Sequence, residues 1–147
     1  MQIFIIGTPL ETATALDNRR LNKQIVECQQ ILDVLSGEKK GWRNHPCVLQ
    51  YRGYEKWLEI YKDILMSYRK GEFGKAILFN MYVDNYRPDW HTQEYYNQMK
   101  RRLYTKDSEH YKQWADLGTS QENWYFVDGE WRKYVNGKRI DKNLNKI

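Results

Sequence analysis

Between Asp17 and Gly37 the residues Leu21, Ile25, Cys28, Ile31, Leu32 and Leu35 recur at three- and four-residue steps. That is the spacing of one face of an amphipathic helix. Asp17 or Asn18 is placed to cap its start, and Gly37 to end it in a left-handed conformation. A second stripe, Leu49, Tyr54, Trp57, Leu58, Tyr61, Ile64, Leu65 and Tyr68, follows Pro46, a residue suited to a first helical turn; Gly71 and Gly74 close it. Such faces must be buried, so the chain reads as mainly α.

The remainder is more varied. Residues 2–6, β-branched and aromatic after Gln2, read as a short strand that Gly7-Thr8-Pro9 breaks. Residues 75–90 are ambiguous, although Pro88 rules out a helix running straight through. Helical patterns resume over 91–104 and 107–116, the latter with Asp107 or Ser108 as a cap. Towards the end, 124–127, 130–135 and 138–140 read as strands joined at Asp128-Gly129 and Asn136-Gly137, the dipeptides that most strongly specify tight hairpin turns. A lone meander is marginal in water, so it should lean on the helices or pair with the N-terminal strand. The expectation is a single compact domain over 1–147, of about four helices, a short N-terminal strand and a small C-terminal β-meander.

Composition narrows the class. Cys28 and Cys47 stand alone, with no metal-ligand spacing, which argues against a zinc site and for a reduced, intracellular protein. No stretch reaches the ~18 apolar residues of a membrane span, and the apolar opening is too short for a signal peptide. A cytoplasmic monomer is expected, in the host cytoplasm if a phage encodes it. The formal charge is +5. Basic residues gather at Lys100, Arg101, Arg102 and Lys106, and again at Arg132, Lys133, Lys138, Arg139, Lys142 and Lys146, where a phosphate backbone could be held. Six Trp and twelve Tyr could stack on bases or fill a core. His45, His91 and His110 share no helical spacing, and no metal cluster, phosphate loop, dinucleotide fingerprint or nucleophile elbow is visible. No cofactor is expected.

Two places could carry chemistry. Arg20, Lys23, Glu27 and Gln30 form one polar stripe beside the apolar face of the first long helix. A solvated Lys–Glu pair would read the same way. The loop Gly41-Trp42-Arg43-Asn44-His45-Pro46 could present a cation, an aromatic and an imidazole to DNA, or could simply start a helix with Asn44 as cap.

The run from Leu16-Asp17-Asn18-Arg19-Arg20-Leu21-Asn22-Lys23-Gln24-Ile25-Val26-Glu27, through Gln30-Ile31-Leu32, to Gly41-Trp42-Arg43-Asn44-His45-Pro46 resembles the pyrimidine-dimer DNA glycosylase family, of the phage endonuclease V type. Gly53-Tyr54-Glu55 fits its phage and bacterial branch. Residues 1–74 form the family-like half and 75–147 a divergent half.

The resemblance implies a glycosylase that is also an AP lyase. Its nucleophile would be the α-amine of the first residue, and its essential carboxylate a helix glutamate, which falls on Glu27. Residue 2 is Gln, whose bulk keeps the initiator in place, so the implied nucleophile is the amine of Met1. An α-amine titrates near ~8 and is partly unprotonated at neutral pH; Lys23, the competing amine, would need burial to match it. The implied partner is double-stranded DNA with a damaged or modified base, held by Arg19, Arg20, Lys23, Trp42, Arg43, Asn44 and His45. The meander stands where the family has an aromatic-rich C-terminus, so the lesion need not be a pyrimidine dimer. Two other readings stay open: a non-catalytic DNA-binding protein with the same fold, and an enzyme that cleaves glycosidic bonds of free nucleotides or RNA.

Overall fold

The computed structural model describes residues 1–142. Lys146 of the C-terminal basic cluster lies outside them. The helices are α1 (Pro9–Ala15), α2 (Asn18–Leu35), α3 (Pro46–Gln50), α4 (Glu55–Arg69), α5 (Phe73–Val83) and α6 (Gln93–Lys106). Short 3-10 turns span Asp84–Tyr86 and Lys112–Leu117, and the strands are β1 (Asn123–Val127), β2 (Glu130–Val135) and β3 (Lys138–Arg139). The chain is therefore mainly α with a small C-terminal sheet, as expected, but it has six α-helices among the described residues rather than about four.

The extra helices have local causes. In α1, Thr8 accepts from the Glu11 N–H, and the Glu11 carboxylate accepts from Thr8, with Pro9 at the first position. That reciprocal cap is a sequence signature, and it turns the expected break at Gly7-Thr8-Pro9 into a helix start. The second predicted helix is split: α3 stops at Gln50, Gly53 takes φ +91°, and α4 restarts at Glu55. Gly74 lies inside α5 rather than closing α4. As Pro88 requires, α5 ends early, with Arg87 extended before it. The first long helix runs as predicted, from the Asp17 cap to Gly37 at φ +88°.

Residues 2–6 are buried but form no strand, and Ile6 lies in a bend. The meander does form, in the order β1-β2-β3, with Val127 opposite Glu130 and Val135 opposite Lys138. Asp128, Gly129, Asn136 and Gly137 all take φ between 50° and 78°, as two-residue hairpin turns demand. The sheet leans on α3 and α6 instead of pairing with residues 2–6.

One buried cluster joins Ile3 to Val127, so both halves of the chain share a core. Helix α4 lies at its centre, against α1, α2 and α5. Beside it Trp57 stacks between Tyr51 and Tyr61, at 5.6 and 5.0 Å. His91 sits edge-on to Trp57 at 4.6 Å, its Nε2 3.1 Å from the Tyr51 hydroxyl.

Candidate functional site

Gln24 and Glu27 lie three residues apart on α2, next to its apolar stripe, and are 1% and 6% exposed. Long polar side chains are buried only when paired. Their partners are the backbone groups of the chain start. The Gln24 carboxamide donates from Nε2 to the Gln2 carbonyl at 2.8 Å and accepts from the Phe4 N–H at 2.9 Å. Glu27 Oε2 accepts from the Gln2 N–H at 3.0 Å. The Ile6 N–H donates to Thr12 Oγ1 at 3.1 Å. From β1, the Tyr125 hydroxyl donates to the Met1 carbonyl at 2.9 Å.

These bonds hold the first two residues from both sides and set Met1 in a pocket of about 280 Å3. Its wall includes Arg19, Arg20, Lys23, Gln24 and Glu27 from α2, Arg102 and Lys106 from α6, and Asn123 from β1. Five cationic side chains thus surround one buried carboxylate.

The cations are held differently. Arg20 Nη1 pairs with Asp17 at 3.2 Å and reaches Asp107 at 3.9 Å. Burial alone would raise the Asp17 carboxyl, but hydrogen bonds from Tyr111 and Arg20 outweigh it and hold that group below the usual carboxylate range. Arg102 is fixed by Nε to Asn123 at 2.9 Å and Nη1 to the Ser120 carbonyl at 3.0 Å. Burial, then the charges of Arg102, Arg20 and Lys23, lower the Lys106 ammonium, with Glu27 opposing them. Arg19 and Lys23 are exposed.

Met1, Glu27, Arg19, Arg20 and Lys23 therefore share one pocket. The loop residues Trp42, Arg43, Asn44 and His45 are not in its wall. Trp42 is 59% exposed at φ +68°, and Arg43 and Asn44 are exposed. His45 is the cap of α3, its Nδ1 accepting from the Cys47 N–H at 3.0 Å. Its ring meets Tyr125 edge-on at 5.8 Å. Burial and the nearby positive chain terminus push His45 down to about 4. It is uncharged at neutral pH, with its proton on Nε2 because Nδ1 accepts.

Gln24, Arg102, Lys106 and Asn123 were missed. Arg102 and Lys106 stood in a basic cluster visible in the sequence, and their i,i+4 spacing marks one helix face. The cluster divides: Arg101 turns to the Leu117 carbonyl, and Lys100 lies 5.8 Å over the Trp114 ring. The C-terminal cluster is also less available than its composition suggests. Arg139 binds Asp141 and Glu130, and Arg132 binds Asp128 and Glu130.

Residues 1–68 match the family model described as pyrimidine dimer DNA glycosylase. Over this stretch the chain is similar to that family. No curated protein and no solved structure matched the chain. The stretch includes Met1, all of α2 and the loop before α3, but not Arg102, Lys106 or Asn123. The match supports an enzyme of that general kind, with DNA as its partner. Among the described residues no helix is long and apolar enough to cross a membrane.

Proposed function

We propose that the protein is a DNA glycosylase with AP lyase activity that works through a Schiff base on the α-amine of Met1. One observation carries this reading: the chain start is clamped by Gln24, Glu27 and Tyr125 in a pocket whose wall holds one buried carboxylate and five cations. A free terminus ordinarily frays; this one is held.

In the proposed reaction the uncharged amine attacks C1′ of the target nucleotide. The C1′–base bond breaks, its electron pair leaves with the base, and a proton follows. The C1′–O4′ bond then breaks and the remaining amine proton passes to O4′, leaving an imine and an open sugar with a free hydroxyl. Glu27 stabilises the cationic sugar, then takes a C2′ proton so that the 3′ phosphate departs. Arg19, Arg20, Lys23, Arg102 and Lys106 hold the flanking phosphates of duplex DNA. The target base must leave the stack for C1′ to be reached, and exposed Trp42 and Arg43 can support the distorted duplex. A damaged or modified base is the substrate class.

Lys106 is a second candidate amine, because burial and its cationic neighbours favour the uncharged form and it faces the same pocket. Borohydride trapping on a duplex with one abasic site, followed by peptide mapping, decides between them. The expected adduct is on the N-terminal peptide; one on a Lys106 or Lys23 peptide overturns the Met1 assignment. Acetylating the terminus should abolish trapping while DNA binding persists. Binding without any adduct would favour the non-catalytic reading.

A further inference from the structure

Helix α5 carries a large open apolar face. Phe73, Ile77, Leu78, Met81 and Tyr82, with Tyr86 of the following turn, are between 44% and 72% exposed. On the opposite side Ala76 and Val83 are buried, and the helix packs on α4 and α1. Lys75 is the one charged residue within its eleven. A helix this apolar all round normally lies inside a core. Here only half of it does.

The face reads the same in both directions. About a centre between Phe79 and Asn80, Leu78 corresponds to Met81, Ile77 to Tyr82 and Phe73 to Tyr86. The flanking charges correspond with opposite sign: Lys75 with Asp84, Glu72 with Arg87, and Lys70 with Asp89. An isologous contact between antiparallel helices has this requirement, since residue i of one copy meets residue j of the other and j meets i.

We propose that α5 is a homodimer interface, two copies packing antiparallel about the point between Phe79 and Asn80. Leu78 then meets the other copy's Met81, and Lys75 its Asp84. The intrachain pairs Lys75–Glu72 and Arg87–Asp84 are both loose, at 3.8 Å, and are free to join a network across the axis. Six side chains about half open present roughly 600 Å2 of the ~800 Å2 that each partner gives a standard interface, and the charged rim supplies the rest. A lipid surface fits less well, because acids lie among the rim charges. The proposed dimer departs from the expected monomer. No residue of α5 lines the Met1 pocket, so both copies can hold DNA.

Sedimentation equilibrium of the full chain without DNA tests the inference. The expected mass is twice the 17.9 kDa of one chain. Met81 is 72% exposed, so Met81→Glu should fold normally by circular dichroism yet sediment as a monomer. Lys75→Asp and Asp84→Lys should each weaken the dimer about tenfold, because the axis presents every change twice, and combining them should restore it. A monomer at all concentrations, with or without vesicle binding, overturns the interface. So does a dimer indifferent to Met81→Glu. A double swap no better than either single one overturns the antiparallel pairing.

Discussion

Two segments of this chain, residues 2–6 and β1, satisfy their backbones in different ways. β1 bonds to β2 through a backbone ladder from Asn123–Tyr134 to Val127–Glu130. Residues 2–6 have helix side chains as partners instead: Glu27 for the Gln2 N–H, Gln24 for the Gln2 carbonyl and the Phe4 N–H, Thr12 for the Ile6 N–H. A ladder needs a neighbouring strand along its length, which would wall in the chain end. Side-chain rungs from α2 hold the segment from one side and leave Met1 at the pocket. The arrangement makes the chain start ordered and reachable, and it makes that order depend on single residues in a way β1 does not.

The largest test of this contrast is Glu27→Gln. The amide can still accept from the Gln2 N–H, so the fold should persist, while proton transfer and the charge are lost. Strand cleavage at an abasic site should fall about 10²–10⁴-fold. Unchanged cleavage in a folded variant would reduce Glu27 to a backbone clamp.

Gln24→Ala removes two rungs at once and leaves the Gln2 carbonyl and Phe4 N–H buried without partners. It should cost about 2–6 kcal/mol in urea unfolding, because each orphaned group costs roughly 1–3 kcal/mol, and trapping should weaken as the terminus frays. β1 has one such bond, from the Phe126 N–H to Gln50 Oε1 of α3 at 3.2 Å, but it adds to a backbone ladder rather than replacing one. If Gln24→Ala unfolds like wild type, the side-chain rungs do not hold the segment.

Acid should weaken the body of the protein that both segments lean on. His45 and His91 are pushed down to about 4 and about 3, each chiefly by burial. In the unfolded chain they bind protons near pH 6.5. The unfolded state therefore holds more protons between about pH 6.5 and the folded values, and stability falls as pH drops through that window. The slope should approach ~1.4 kcal/mol per pH unit for fully buried His91 and be smaller for half-exposed His45. His91→Gln, which keeps a polar partner for Tyr51, should flatten the larger part of the slope. An equal slope in that variant would assign the acid sensitivity elsewhere.

The smallest effect belongs to the sheet. Asn136 takes φ +50° in the β2–β3 turn. Asn136→Ala should cost about 1 kcal/mol of stability, the penalty of a left-handed conformation, and leave cleavage unchanged. A loss of cleavage would tie the outer meander to the site.

What could be read from the sequence was what a few neighbouring residues decide. The face of α2, its Asp17 and Gly37 ends, and the two hairpin turns all follow from local spacing and backbone preference. Local spacing put Glu27 in a polar stripe that could carry chemistry, but its role and that of Met1 came from the resemblance. Tertiary structure decided the rest. A run of isoleucines can extend in or out of a sheet; here residues 2–6 stay out because Gln24 and Glu27, twenty and more positions away, take the hydrogen bonds a strand would have used. Arg102 and Lys106 reach the Met1 pocket because α6 packs beside β1, whose Tyr125 holds the chain start. In the sequence α5 is an ambiguous apolar stretch, and which of its sides lies open depends on the helices packed against it. Side-chain partners and exposure are set by elements distant along the chain, and no window of local sequence contains them.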